Sequence, residues 1–334
     1  QAELSGLRRM KRVGHLMPEI VEWENLLLAF CRAERGLSDK HEADLYRENL
    51  DENLRFLHDG LADGFFPFGE YHSFEVRDPK TRLIHAPAFR ERVAQHAIFN
   101  LCEPIMEKKL VDDCFACRKG KGTHGALKRA QVFARRYKWY LKLDVRRYFD
   151  SVVHSQLLEM LGRVFKDVHL LKLFTQIIGG YETERGRGLP IGSLASQFFA
   201  NHYLSRLDRT CKQVLRVPGY LRYMDDFILW GHEREVLMKA REGVEKALDG
   251  IGLQLKKRAH PEKVRGGVPF LGHRVHSFRM EPDRRARVRF FRKIRSLEWQ
   301  ANEGIIDEIE LQQRHQCLLG FGSLSNLINL QGGI

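Results

Sequence analysis

The stretch Tyr220-Leu221-Arg222-Tyr223-Met224-Asp225-Asp226-Phe227-Ile228-Leu229-Trp230 sets two adjacent carboxylates between two apolar, aromatic-rich runs. Each run has strand composition, so the segment reads as a β-hairpin with the aspartates at its turn. Ionised groups flanked by apolar strands are costly unless something binds them. Adjacent carboxylates also raise each other's pKa unless a cation intervenes. An Asp-Asp pair on its own is common turn chemistry, so a second stretch decides the matter. Trp139-Tyr140-Leu141-Lys142-Leu143-Asp144-Val145 is another apolar strand ending in a carboxylate. Asp144 and Asp225 are 81 positions apart and meet only if their strands lie side by side in one sheet. Three aspartates on neighbouring strand ends suit two Mg²⁺ ions about 4 Å apart, the clamp used for in-line phosphoryl displacement.

Composition narrows the class of protein. The chain has 334 residues, 56 Lys+Arg against 43 Asp+Glu, and a net charge of +13. Its 43% hydrophobic and 30% charged residues are globular values, which excludes wholesale disorder. No apolar run approaches the roughly 18–20 residues of a membrane span, and no signal peptide opens the chain. Six cysteines are too few for a disulfide scaffold and point to a reducing compartment. The expectation is a soluble, cytoplasmic protein with a polyanionic partner, nucleic acid foremost.

Along the chain, apolar residues recur at helical spacing through 18–60, including Ile20, Trp23, Leu26, Leu27, Phe30, Leu45, Leu50, Leu54 and Leu57. From Tyr71 the pattern alternates, Asp78-Pro79-Lys80 reads as a turn, and Arg82-Leu83-Ile84 resumes a strand. Arg90 to Glu107 is again helical. Lys108 to Lys142 holds eleven Lys/Arg against two acidic residues, with aromatics interleaved and Gly120, Gly122 and Gly125 at its centre. That density suits a nucleic-acid surface better than a merely solvated helix face. A second basic cluster, Arg284 to Arg295, begins in an alternating stretch and runs into a helical one. Gly320 to Ile334 lacks a clear period and reads as weakly ordered.

At this point a family resemblance becomes plain. Tyr223-Met224-Asp225-Asp226 resembles the YxDD box of reverse transcriptases, and Leu143-Asp144-Val145-Arg146-Arg147-Tyr148-Phe149 resembles their first palm motif. The resemblance implies Asp144 and Asp225 as the main metal ligands, with Asp226 assisting and the Val145 carbonyl contributing. It places Phe149 where the family keeps an aromatic gate that crowds the sugar 2′-position and selects dNTPs. Gly188-Leu189-Pro190-Ile191-Gly192-Ser193-Leu194-Ala195-Ser196-Gln197 resembles the next motif, a glycine-rich turn into a helix, with Ile191, Gly192 and Gln197 near the nucleotide. Most reverse transcriptases carry Gln where this chain has Ile191, and end the motif in Ser-Pro where it has Ser196-Gln197. Ile-Gly-x-x-x-Ser-Gln is similar to the enzymes of diversity-generating retroelements, which misincorporate opposite template adenines. A branched apolar residue offers none of the amide hydrogen bonds of Gln, so lower selectivity is physically reasonable.

Asp78 to Ile84 and Ala116 to His124 look like the fingers of the same subfamily. Lys80 and Arg82 are candidates for gripping the dNTP phosphates. Arg118, Lys119 and Lys121 would follow a template or primer backbone, as would Arg292 in the second basic cluster. The GxxxxGK[ST] spacing of a Walker loop is absent. Val268-Pro269-Phe270-Leu271-Gly272-His273-Arg274 resembles the primer-grip turn, with Arg274 toward the primer end. Lys256, Lys257 and Arg258 compete for the residue that protonates departing pyrophosphate.

Cys114-Phe115-Ala116-Cys117 is a lone CxxC without the second pair that a zinc site needs. His85, His96 and His124 have no metal-ligand spacing, and no RNase H or endonuclease constellation stands out. The expected fold class is α+β, a right-hand polymerase with a small antiparallel palm sheet and a helical thumb. Its expected parts are an N-terminal helical extension over 1–70, fingers over 71–140, a palm over 141–276 with an interleaved fingers segment near 155–187, and a thumb over 277–334. The implied activity is RNA-templated DNA synthesis by two-metal nucleotidyl transfer with Mg²⁺, dNTPs, a template RNA and a primer, and with a small basic accessory variability protein as partner. Retron, group II intron-like and defence-associated reverse transcriptases are the near alternatives. A catalytically idle RNA-binding module on the same fold is the alternative of a different class.

Overall fold

The computed structural model describes residues 11–37, 40–77 and 81–323, so the expected turn at 78–80, including Lys80, and the tail from 324 lie outside the described residues. Four helices come first: α1 (Met17–Ile20), α2 (Trp23–Glu34), α3 (His41–Glu48) and α4 (Leu50–Ala62). A hairpin of β1 (Tyr71–Arg77) and β2 (Thr81–Pro87) leads into the long helix α5 (Phe89–Glu107), and α6 (Gly122–Arg136) precedes β3 (Trp139–Asp144). After α7 (Tyr148–Ser151), α8 (His154–Gly162), α9 (Val168–Gly179), α10 (Leu194–Tyr203) and α11 (Ser205–Arg209) come β4 (Gly219–Tyr223) and β5 (Asp226–Gly231). The chain continues through α12 (Arg234–Asp249), β6 (Glu262–Lys263), β7 (Val268–Phe270), β8 (His273–Val275) and β9 (Met280–Pro282) to α13 (Arg284–Asn302) and α14 (Glu308–Ser323). Among the described residues no helix is long and apolar enough to cross a membrane.

These elements fold as two compact units, one of the described residues up to 111 together with 145–208 and 246–254, the other of 112–144, 209–245 and the described residues from 255 onward. In the first, the periodic apolar face of α2 (Leu26, Ala29, Phe30, Ala33) buries against α5 (Val93, Ala94, Ala97, Ile98). Asn25 locks the two helices together by donating to the Ala97 carbonyl at 3.0 Å. Farther along α5, Phe99 stacks on Phe198 of α10 with ring centroids 4.8 Å apart, and Phe174 of α9 meets Phe199 edge-on.

The second unit is built on an antiparallel sheet in the order β4-β5-β3-β6. Alternation along the strands puts Leu221, Ile228, Trp230 and Tyr140 on one face, where α6 covers them with Leu127, Ala130 and Phe133. Phe227, Leu229, Leu141 and Leu143 fill the other face and are fully buried. That explains why these strands read as nearly continuous apolar runs. Gly219 sits where Trp230 and Tyr137 press on β4, and a Cβ there would come within 2.8 Å of the Tyr137 ring. A second antiparallel sheet, β7-β8-β9, joins the same core through Val268, Phe270 and Val275.

Two expectations need correction. The cluster from Arg284 to Arg295 lies wholly on α13 with no alternating lead-in. The Asp283 carboxylate caps that helix by accepting from the Ala286 N–H at 2.6 Å, and this start signal was overlooked beside the alternating arginines. Residues 320–323 belong to α14, where the glycines had masked the helical period. Trp230 is completely buried, with its ring 4.9 Å from Phe133. Trp230→Ala is expected to cost about 3–5 kcal/mol of folding stability, read as a lowered urea midpoint with an unchanged m-value.

Candidate active site

The register of the four-stranded sheet brings the carboxylates together. Asp144 ends β3 directly opposite Asp226, which begins β5, and Tyr223 faces Asp226 from the other side. Met224 and Asp225 form the two-residue turn between β4 and β5. The expected hairpin is therefore present, with Asp225 in its turn and Asp226 as the first residue of the returning strand. Met224 has φ +56°, the only positive φ in the turn, which is the sign pattern of a type II′ turn and a place usually held by glycine. A methionine there stores of the order of 1 kcal/mol of backbone strain. The Tyr223 hydroxyl lies 3.2 Å from the Thr123 hydroxyl of α6, which ties the turn to the helix behind it.

Like charges directly opposite in a sheet repel, and here two lysines answer them. Lys142, two residues before Asp144 and hence on its face of β3, reaches Asp226 at 2.9 Å. Lys256 reaches the Asp144 carboxylate at 2.8 Å while its N–H donates to the Asp144 carbonyl at 2.9 Å. Burial pushes the Asp226 carboxyl up to about 6, with Lys142 opposing and the neighbouring aspartates reinforcing the rise. Its hydrogen bond to Asp144 holds the Lys256 ammonium above its ordinary value.

One oxygen of Asp226 remains buried with no hydrogen-bond partner. An all-oxygen donor set with an orphaned carboxylate oxygen fits a hard divalent cation. Among the described residues no group of three His, Cys, Asp or Glu side chains is arranged to hold a metal ion; Lys142 engages Asp226 and Lys256 engages Asp144. Val145, whose carbonyl the sequence nominates, follows Asp144 and is buried.

The other nucleic-acid candidates in this unit make local contacts. Arg274 donates to the Gly266 carbonyl at 2.8 Å, beside the β7–β8 turn where Leu271 and Gly272 both have positive φ. Phe270 of that hairpin lies 5.9 Å beneath the Lys142 ammonium. Arg118 donates to the Cys114 carbonyl at 2.9 Å, and Lys121 bonds the Asp112 carbonyl and lies over the Phe115 ring. Lys119 sits exposed in the same loop. Arg292 is exposed on α13 and lines a groove of about 560 Å³ with Arg284, Arg287 and Arg295.

The nucleotide candidates belong to the first unit, where backbone hydrogen bonds lace them together. The Phe149 carbonyl accepts from the Leu189 N–H at 2.9 Å, and the Ile191 carbonyl accepts from the His85 N–H of β2 at 2.7 Å. Gly192 has φ +119°, and a Cβ there would come within 2.7 Å of Ile84. Glycine is required on both counts. Arg82 lies exposed on the same strand β2, opposite Val76. Gln197 is exposed on the first turn of α10.

Lys142 was missed in the sequence, although the Lys-x-Asp alternation at the end of β3 signals a shared face. Gln95 was missed too. Wholly buried on α5, it accepts from the Ser193 hydroxyl at 2.9 Å and the Ala195 N–H at 3.1 Å, and so pins the loop that carries Ile191 and Gly192. No local sequence signal marks it.

The family described as "Reverse transcriptase (RNA-dependent DNA polymerase)" matches residues 76–275. The Group II intron-encoded protein LtrA of Lactococcus lactis subsp. cremoris is 24% identical over 267 residues, covering 74% of this chain and 43% of that protein. Protein YkfC of Escherichia coli (strain K12) is 25% identical over 279 residues, covering 69% of this chain and 73% of that one. The chain thus spans less than half the length of the intron-encoded relative. A solved structure of apo telomerase from Candida tropicalis superposes with a TM-score of 0.49 at 13% identity, covering 65% of this chain and 49% of that one. Gln95→Leu removes the acceptor shared by Ser193 and Ala195 and is expected to cost about 1–3 kcal/mol, measured by chemical denaturation.

Proposed function

The chain belongs to the reverse transcriptase (RNA-dependent DNA polymerase) family, and on that footing we propose that it copies RNA into DNA by nucleotidyl transfer. The observation that carries the reading is Asp144 opposite Asp226 with Asp225 in the adjoining turn. Enzymes of this family work with divalent metals, and Asp144, Asp225, Asp226 and the Val145 carbonyl are the groups that would hold two Mg²⁺ ions. Such ions supply activation of a primer 3′-hydroxyl and charge stabilisation on the departing pyrophosphate.

The remaining roles fall to this chain's own side chains. Among Lys256, Lys257 and Arg258, Lys256 delivers the proton to the leaving group. Its contact with Asp144 at 2.8 Å, which sets its ammonium beside the carboxylates, supports that choice. Phe149 crowds the sugar 2′-position and selects dNTPs, Arg82 and Lys80 grip the phosphates, and Ile191, Gly192 and Gln197 border the nucleotide. Arg118, Lys119, Lys121, Arg274 and Arg292 follow the template and primer backbones.

The finer reading is an error-prone enzyme of a diversity-generating retroelement, working with an accessory variability protein. Ile191 and the Ser196-Gln197 ending support it. The curated relatives named above include an intron-encoded protein, which favours a group II intron-like enzyme as the second reading. The error spectrum separates the two.

Asp225→Asn is expected to reduce Mg²⁺-dependent primer extension on an RNA template to background while gel-shift affinity for RNA stays close to wild type. Equal extension by both proteins would refute the assignment. Ile191→Gln is expected to lower misincorporation opposite template adenine. Sequenced cDNA with an unchanged spectrum would remove Ile191 from the account and favour the intron-like reading.

A further inference from the structure

Behind the acidic turn lies a guanidinium that none of the roles above employs. Arg222 is fully buried at 0% exposure, in a sheet whose other largest buried side chains are aromatic. Alternation along β4 puts it on the strand face opposite the one that carries Tyr223, Asp226 and Asp144. Its Nη1 reaches past Tyr223 and donates to the carbonyl of Met224 at 3.0 Å. Met224 is the residue at φ +56°, so the bond falls on the carbonyl of a residue held in the left-handed region, which side-chain-bearing residues rarely adopt.

The base from which Arg222 reaches is itself fixed. Its N–H donates to the Asp113 carbonyl at 2.9 Å, and its carbonyl accepts from the Phe115 N–H at 3.0 Å. Across the hairpin it pairs with Phe227. Asp113 is buried, and its carboxylate binds Arg129 of α6 at 2.7 Å and Lys212 at 2.6 Å. Segment 113–115 is thereby anchored to α6 and to Lys212, and through it the strand under the turn is held in place. A buried guanidinium is costly to desolvate and is poorly explained as packing alone.

We propose that Arg222 is a positioning residue that holds the Met224 carbonyl and so fixes the strained turn that presents Asp225. It touches neither metal nor substrate. The inference rests on the reading of this turn as part of the polymerase centre. Arginine suits the task because its planar donor fork loses less rotamer freedom per hydrogen bond formed than a lysine ammonium does.

The test uses the full chain carrying Arg222→Met, Arg222→Lys, Met224→Gly and the Arg222→Met/Met224→Gly pair. Circular-dichroism melting checks folding, and primer extension yields kcat, the dNTP KM and the Mg²⁺ concentration for half-maximal rate. Arg222→Met is expected to lower kcat about 10–100-fold, the scale of a small misplacement of a reacting group, and to raise the Mg²⁺ requirement while KM changes little. Arg222→Lys should recover part of the rate. Met224→Gly removes the penalty of a positive φ, so the double variant should exceed Arg222→Met in kcat. A folded Arg222→Met with wild-type kcat and Mg²⁺ dependence overturns the proposal, as does a double variant no better than the single one. Should Arg222→Met fail to fold, Arg222→Lys with and without Met224→Gly measures the same coupling. A wild type that extends no primer refutes the polymerase reading instead. Tb³⁺ luminescence sensitised by Tyr223 then still tests Arg222, with unaltered Tb³⁺ affinity in the variants counting against it.

Discussion

Asp144 and Asp226 stand opposite each other across two hydrogen-bonded strands, in a register that the core leaves no freedom to change. A slip by one residue would turn Ile228 and Trp230 away from α6 and expose the side chains that fill the sheet's second face. The carboxylates are therefore held together by burial some distance along the same strands, not by any attraction of their own. Their mutual repulsion needs cations, and the chain supplies Lys142 and Lys256 at 2.9 and 2.8 Å. One oxygen of Asp226 is nonetheless left buried without a hydrogen-bond partner.

The first unit follows a similar logic with neutral groups. Phe149, Leu189, Ile191 and His85 come from three separate stretches of chain and are joined by backbone hydrogen bonds. Gln95 secures the next turn from α5. Gly192 has no tolerance for a side chain, since β2 lies against it. The loop carrying the most informative sequence departure, Ile191, is thus bonded to two neighbouring elements.

The net charge of +13 takes on a location in this light. Some basic residues are offset by a carboxylate, as Arg129 and Lys212 are by Asp113. Others, such as Arg284, Arg287, Arg292 and Arg295 on α13, remain exposed along one groove. Only the second group contributes strongly to salt-dependent attraction of a polyanion. Counting charges in a sequence does not separate the two.

What was legible in the residues followed from local rules. Two apolar runs around Asp225-Asp226, and a third ending at Asp144, sufficed to foresee a hairpin and its neighbour strand, because period-2 burial and strand composition are properties of short segments. The helices of 18–60 and of Arg90 to Glu107 followed from their 3.6-residue period. The helical course of Arg284 to Arg295 was misread because alternating arginines mimic a strand where a single capping carboxylate starts a helix. Lys142 as the partner of Asp226, Lys256 as the partner of Asp144, Gln95 under the glycine-rich loop and Arg222 beneath the turn were fixed only by tertiary structure. Each acts on a group distant in sequence, or across a turn whose φ no composition reveals. The sequence by itself determined that the three carboxylates fall at strand ends and a hairpin turn. The packed sheet decided which cations and donors meet them, because those meetings depend on register and burial that no local pattern encodes.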